Sequence, residues 1–399
     1  MTEFICFDQI NAPLRLGDGV DLSDLLLRVL PGWPFTSREG ASAPPFFEIE
    51  TEGANRYLCR NLITDAAPRR LDALNAVCDM VAAMSFALID SQPEHLCLHA
   101  GAVEIGGRLV VIPNARRAGK STLTACLARD GHPVFTDDTL PVRFDAMGRL
   151  VGRAGGISPR LRLPLPDTLD HAFRSWVAAN PGPDNGQYKY LSLPDLPPSG
   201  RPAPLGAIVL LERSEVQPPS LSPVEPETAM DTLLFQNFTR EVHSVDVLKL
   251  LARMTTTLPV LRLRYGEAPQ AADLLAQSFN VWPDPVPSDP VLAGALARAD
   301  LDTMPAIAVT AGETYRQRPG AAMADVGDAL YLSDPEGGRI HRLNPVSQAI
   351  WTLLEHPISP EQIRDVLVEA FPDTNPDRIG ADVTEFMAGL GAAGLIDRV

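Results

Sequence analysis

Residues 98–138 read LHAGAVEIGGRLVVIPNARRAGKSTLTACLARDGHPVFTDD, and the order of apolar runs, glycines and acids in this stretch decides the fold. Leu98, Ala100 and Val103 lead into Gly106-Gly107, and Leu109-Val110-Val111-Ile112 follows. A Gly-Gly pair between two apolar runs is a hairpin signal, because both residues take φ > 0 without strain. After a loop from Asn114 to Thr122, Leu123, Cys126 and Leu127 recur at helical spacing, and Gly131 stands where a C′ glycine ends a helix. A strand from Pro133 to Thr136 then delivers Asp137-Asp138. Strand, phosphate-type loop, helix, strand and acidic pair predict an α/β (α+β) domain built around a P-loop.

Upstream, residues 1–90 mix short apolar runs with turn residues, as in Leu14 to Val20 and Phe46 to Ile49, before an amphipathic helix from Leu71 to Ile89. An α+β region without visible chemistry is expected there. Downstream, residues 91–280 continue the core. Pro-rich stretches from Pro194 to Pro204 and Pro218 to Pro226 read as loops around a strand, Ala207 to Leu211. A strand from Val260 to Tyr265 and a helix from Ala271 to Phe279 close the domain. Residues 281–310, with four prolines between Pro283 and Pro290, read as a stiff linker.

Residues 311–399 form a separate small unit. Two short strands, Ala329 to Ser333 and Arg339 to Leu343, flank an Asp-Pro-Glu-Gly-Gly turn. Asn344 caps a helix with Pro345 at its first position, and Ser359-Pro360-Glu361-Gln362 is a capping box that opens a second. A third carries Ile379, Val383, Phe386, Met387 and Leu390 on one face. A hairpin with three helices predicts a small winged-helix-like α+β domain.

The chain of 399 residues exceeds what one hydrophobic core organises. Its net charge of −16, from 50 acidic and 34 basic residues, has the wrong sign for gripping nucleic acid or an anionic membrane. Five scattered cysteines without CxxC spacing suggest neither a disulfide framework nor a zinc site, and no basic n-region precedes an apolar run near Met1. A cytoplasmic protein is expected.

Ala118-Gly119-Lys120-Ser121-Thr122 is the second half of a Walker A loop. In such a loop backbone N–H groups cradle phosphates, Lys120 reaches the β/γ-phosphates and the Ser121 hydroxyl ligates Mg²⁺. Asn114 holds the place of the first glycine, followed by Ala115, Arg116 and Arg117; Asn is the next most tolerant residue for left-handed backbone. The chain has three lysines, so by residue frequencies a GK[ST] triplet arises by chance about 0.02 times. Asp137-Asp138 at a strand end suits one carboxylate, Asp138, to Mg²⁺ and the other, Asp137, to accepting a proton; a solvated turn is the plainer alternative. His99 lies one hairpin before the loop, where a satisfied core histidine is the plainer reading. Arg160, Arg162, Lys189 and Arg213 are candidates for a phosphate-facing cluster, against ordinary surface pairing.

Leu98-His99-Ala100-Gly101-Ala102-Val103, the Gly-Gly hairpin, the AGKST loop and Arg129-Asp130-Gly131-His132 before Thr136-Asp137-Asp138 resemble the catalytic core of HPr kinase/phosphorylases and their relatives over about 45 residues. The resemblance implies γ-phosphoryl transfer from ATP, or GTP, to a seryl hydroxyl with Mg²⁺, and it places roles on Lys120, Ser121, His99, Asp137 and Asp138. Those kinases assemble as hexamers, which leaves a homo-oligomer open. Two departures stand out: the glycine-poorer loop, and Ile157-Ser158-Pro159-Arg160 where the family carries a second acidic signature. Recognition of HPr itself is not implied.

The last 80 residues resemble PqqD-like peptide-recognition domains through Arg318-Pro319, the hairpin, Ile340-His341-Arg342-Leu343-Asn344-Pro345 and Ala349-Ile350-Trp351-Leu353-Leu354. The resemblance implies that the leader of a ribosomally made precursor peptide adds as a strand along Arg339, Ile340, His341, Arg342 and Leu343 and rests on Ile350 and Leu354. A DNA-reading winged helix is disfavoured by 14 acidic against 7 basic residues from Ala311 to Val399. The reading that follows is a peptide kinase; its alternative is a catalytically silent nucleotide-binding adaptor that presents a precursor peptide to other enzymes. A kinase for a small free hydroxyl compound is a third.

Overall fold

The computed structural model describes residues 2–40, 43–113, 118–167, 169–214, 218–239, 242–292, 307–334 and 339–399. The chain divides into two compact units, one of Met1–Val224, Asp231–Arg240 and Thr257–Ala295, the other of Glu225–Met230, Glu241–Thr256 and Leu296–Val399.

The first unit opens with β1 (Glu3–Phe7), β2 (Leu14–Leu16), α1 (Ser23–Val29), β3 (Phe35–Glu39), β4 (Phe47–Gly53), β5 (Arg56–Asn61), β6 (Arg69–Leu71) and α2 (Ala73–Ser91). Alternation explains the strands: Phe47 and Ile49 of β4 point inward while Glu48 and Glu50 stay at the surface and hold Arg15 and Arg60. The six strands pair in the order β3-β1-β2-β4-β5-β6. Asp72 caps α2 by accepting from the Asn75 N–H. This helix is long and apolar enough to cross a membrane, yet Val77, Met80 and Met84 are fully buried in the core of this layer. A helix apolar almost all round belongs inside, and its buried surface is wider than the single face its periodicity predicted.

The P-loop layer follows with β7 (Leu96–His99), β8 (Gly101–Ile105), β9 (Arg108–Ile112), α3 (Lys120–Arg129), β10 (Val134–Thr136), β11 (Thr139–Phe144), β12 (Leu150–Arg153), β13 (Arg160–Arg162), α4 (His171–Ala179), β14 (Tyr188–Tyr190), β15 (Pro202–Arg213) and β16 (Ser220–Pro223). α5 (Pro226–Gln236) straddles the division between the units and α6 (Ser244–Thr257) falls almost wholly in the second, while β17 (Val260–Tyr265) and α7 (Ala268–Phe279) complete the P-loop layer. Gly106 and Gly107 have φ of 58° and 81° and join β8 to β9 as the sequence predicted. The main path runs β10-β8-β9-β15-β12-β11-β7, with β17 and then β16 branching from β15. β15 is longer than expected and absorbs Pro202 and Pro204 of the expected Pro194–Pro204 loop. β12 pairs with residues 202–204 while β9 pairs only from Leu205 on, so the prolines occupy a stretch with a strand on one side. β9, β15 and β17 are mutually parallel, so their carboxyl ends meet at one edge, where ligands of open α/β sheets bind.

In the second unit, β18 (Tyr315–Gln317), β19 (Ala322–Val326), β20 (Ala329–Ser333) and β21 (Ile340–Leu343) precede α8 (Pro345–Leu353), α9 (Pro360–Ala370), α10 (Pro376–Ala392) and β22 (Ile396–Arg398). The three predicted helices, the Asn344 cap and the Ser359 capping box are all present. The predicted hairpin is the larger part of a three-stranded sheet, β19-β20-β21, and β18 pairs with β22. Leu332, Leu343, Ile350, Ile363, Val383 and Met387 form its core.

Candidate active site

The site grows from the N-terminus of α3. Gly119 precedes the helix at φ 101°, a left-handed conformation that favours glycine, and a Cβ there would lie 2.5 Å from the Tyr265 hydroxyl. Lys120 and Ser121 therefore enter the helix at a fixed angle, and the first-turn N–H groups form an anion-binding end. Asn114, Ala115, Arg116 and Arg117, expected to complete the loop with Ala118 and Thr122, lie outside the described residues.

β7 and β11 pair with Thr139 opposite His99, and this register sets His99 against the acidic pair. His99 Nε2 is 3.0 Å from Asp138 Oδ1 and 3.2 Å from Lys120 Nζ. One ring nitrogen serves one of these partners at a time: with a proton it donates to Asp138, and without one it accepts from the ammonium. Lys120, His99 and Asp138 thus form a contiguous chain of cation, switchable base and anion.

The two aspartates differ in environment. Burial and the Asp138 charge push Asp137 up to about 6, against the Arg160 backbone N–H, which donates to Asp137 Oδ2 at 2.9 Å. Burial also opposes ionisation of Asp138, but its bond to His99 and the nearby Arg160 and Lys120 charges outweigh it and hold that carboxyl below its usual range. Neighbouring carboxylates with separated proton affinities are what a division into proton acceptor and fixed anion requires.

The basic candidates separate. Arg160 lines the cavity beside Asp137 and its guanidinium stacks on Tyr188 at 4.8 Å. Arg213 stacks on the Tyr265 ring at 4.9 Å, and the Tyr265 hydroxyl donates to the Ala118 carbonyl at 3.3 Å, so Arg213 reaches the loop through the tyrosine. Arg162 is exposed at the far end of β13, and Lys189 is buried with its ammonium 3.5 Å from Asp184. The expected four-residue cluster is not assembled: on β14 Lys189 alternates with Tyr188 and Tyr190 and points to the opposite side.

Ser121, Asp137, Asp138 and Arg160 share one cavity of about 70 Å³. Its remaining wall holds residues that sequence reasoning passed over: Trp33, and Val81, Met84, Ser85 and Leu88 of α2. Ser85 is the one local signal, a hydroxyl inside an apolar helical run.

The donors present suit Mg²⁺, which binds one or two protein oxygens and completes its shell with phosphate and water. The Ser121 hydroxyl and the ionised Asp138 carboxylate line the same cavity. No cluster of three or more His, Cys, Asp or Glu occurs among the described residues.

In the second unit, β21 pairs with β20 on one side and, among the described residues, with no strand on the other. Leu343, Ile350 and Leu354 are at most 1% exposed, packed into the unit's core, which removes them from the expected peptide-contact set. His341 lies half-buried on the same face as Leu343, and Ile340 and Arg342 face the other way, so the strand's main chain and its alternate side chains are what remains accessible. Arg339 lies just before the strand, its carbonyl accepting from the Asp334 N–H.

Residues 330–396 match the family model of PqqD, coenzyme PQQ synthesis protein D. No curated protein matches the chain. Among solved structures it is similar to the Hpr(Ser) kinase/phosphatase from Coxiella burnetii, at 15% identity over 46% of this chain and 94% of that one, with a TM-score of 0.25. Residues 330–396 are thus a PqqD-like domain, and they follow an α/β unit that carries the Gly119-Lys120-Ser121 helix start.

Proposed function

We propose that the first unit transfers the γ-phosphoryl group of ATP, with GTP as the alternative donor, to a hydroxyl of a ribosomally made peptide. A serine is the expected acceptor, and the C-terminal domain would hold the peptide through its leader. The observation that carries this reading is the contact chain from Lys120 through His99 to Asp138, which ends at a cavity lined by Asp138, Asp137 and Ser121.

The roles follow from the environments. Lys120 and the α3 N-terminus hold the β/γ-phosphates, and drawing Lys120 toward phosphate leaves His99 Nε2 to Asp138. Asp137 takes the proton of the acceptor hydroxyl, since its burial makes it the better base of the pair. Arg160 orients Asp137 through its backbone N–H, and Arg213 with Tyr265 keeps the loop in place. Mg²⁺, held by Ser121 and Asp138, would neutralise charge on the transferring phosphoryl group. Five free thiols suit a reducing cytoplasm.

The test is incubation of the full chain with ATP, Mg²⁺ and the precursor peptide encoded by a neighbouring gene. Gain of one phosphoryl group by mass supports the kinase. ATP binding without transfer supports the silent adaptor, a reading favoured by Asn114 in place of the first glycine and by the absent second acidic signature.

A further inference from the structure

We propose that the cavity beside Asp137 is the acceptor pocket, and that α2 and Trp33 select a hydroxyl flanked by an apolar group. The inference rests on the kinase reading and names the chemistry of its acceptor.

The N-terminal layer is tied into the site. Ser85 of α2 and Thr139, the residue after the acidic pair, are 3.0 Å apart through their hydroxyl oxygens. The Thr139 N–H in turn donates to Thr136 Oγ1 at 3.0 Å, in the turn that presents Asp137 and Asp138. The cavity is thus lined by Ser121 and the acidic pair together with Trp33, Val81, Met84 and Leu88.

Size and polarity narrow the occupant. A volume of about 70 Å³ holds on the order of five waters, room for the side-chain atoms of an acceptor. The cavity's place beside Asp137, the proposed proton acceptor, suits the acceptor hydroxyl. Hydroxyls of a sugar or other polyol set against Val81, Met84 and Leu88 would give up hydrogen bonds to water, whereas an apolar neighbour of a seryl or threonyl group has none to lose there. In the reaction the acceptor oxygen forms a bond to the γ-phosphorus, the bond from that phosphorus to the β-phosphate bridging oxygen breaks, and the nucleoside diphosphate leaves with the electron pair. The hydroxyl proton passes to the Asp137 carboxylate.

The experiment offers the full chain, with ATP and Mg²⁺, two probe peptides at equal concentration: acetyl-Leu-Ser-Leu-amide and acetyl-Asp-Ser-Asp-amide. Wild-type protein should phosphorylate the apolar peptide at least tenfold faster. Ser85→Leu, which fills the cavity from α2, should lower that rate at least tenfold with ATP affinity changed less than twofold. Val81→Ala, which widens the cavity and spares the fold if Ser85→Leu does not, should improve a Phe-flanked serine peptide relative to the Leu-flanked one. Equal rates on the two probes, undiminished transfer by a folded Ser85→Leu, or no gain for the Phe-flanked peptide with Val81→Ala would overturn the assignment. Parallel loss of ATP affinity in Ser85→Leu would give the cavity to the nucleotide instead. Phosphate on neither probe also overturns it, and the kinase reading survives that result only if wild-type protein, unlike Lys120→Ala, still hydrolyses ATP.

Discussion

The Tyr265 hydroxyl stands 3.3 Å from the Ala118 carbonyl oxygen and 2.5 Å from where a Cβ on Gly119 would lie. β17 thus ends against the loop that opens α3, and Arg213 at the end of the neighbouring parallel strand stacks on the same ring. Gly119→Ala meets two obstacles, the left-handed backbone, which costs an L-residue about 1–2 kcal/mol, and the tyrosine itself. ATP affinity, measured with a fluorescent analogue, should fall about tenfold, consistent with that strain. Wild-type affinity in this variant would mean that the loop tolerates displacement and that Tyr265 does not hold it.

Lys120→Ala removes the buried ammonium 3.2 Å from His99. Turnover should drop by about 10²-fold or more, because charge opposite the transferring phosphoryl group acts in the transition state. The fold should persist, since the remaining His99–Asp138 contact satisfies the carboxylate. Equal turnover in variant and wild type would remove the loop from the mechanism.

Asp137→Asn keeps an acceptor for the Arg160 N–H but takes no proton. Phosphoryl transfer should fall by roughly 10²–10⁴, the range general bases supply, with nucleotide affinity nearly unchanged. Because burial and Asp138 disfavour the Asp137 charge, the variant should also be more stable at pH 7, by roughly 1–3 kcal/mol. Wild-type rates would take the proton-acceptor role away from Asp137, and wild-type rates in Asp138→Asn as well would make the acidic pair structural.

His95 supplies a pH test in the fold rather than the reaction. It is 1% exposed, and burial, with the Arg153 and Arg143 charges, depresses it to about 3. The unfolded chain takes up this proton near pH 6.5 and the folded protein does not until far lower. Stability is therefore intact above about pH 6.5 and declines as pH falls from there toward 3, at about 1.4 kcal/mol per pH unit from this group. In His95→Gln, the unfolding free energy from urea melts should slope less steeply between pH 6 and 4, by about that amount; an identical slope would mean that His95 is already charged in the folded state.

Local chemistry was legible in the sequence and long-range assembly was not. Gly106-Gly107, the Gly131 helix end and the caps at Asn344 and Ser359 each declare themselves within a few residues, because a turn or cap is satisfied by its own neighbours. The loop lysine and the acidic pair were visible for the same reason. The cavity was not: Trp33 and Ser85 join Asp137 only through the packing of two layers far apart in sequence. β18 and β22 were missed because each is three residues long and finds its partner about 80 residues away. Ile350 and Leu354, read as a peptide platform, obey the same apolar periodicity as core, and periodicity alone does not tell a groove from an interior.

The last prediction concerns β21. The Asp334 N–H donates to the Arg339 carbonyl at 3.2 Å, so that pair faces β20; in an antiparallel ladder bonded and non-bonded pairs alternate, and the register sets Ser333 opposite Ile340 and Leu332 opposite His341. His341 and Leu343 therefore direct their main-chain groups to β20, while Ile340 and Arg342 direct theirs to the unpaired edge. A leader adding there as a strand would take its main-chain bonds from those two residues. Ile340→Pro removes one outward donor and leaves the bonds to β20 in place, so the domain should stay folded and leader affinity should fall about tenfold, one lost hydrogen bond plus local strain. His341→Pro removes an inward donor and should destabilise the sheet instead. Fluorescence anisotropy of a labelled leader peptide with the full chain, without nucleotide, reads the first effect, and thermal unfolding reads the second. Undiminished leader binding by Ile340→Pro would move the peptide away from this edge.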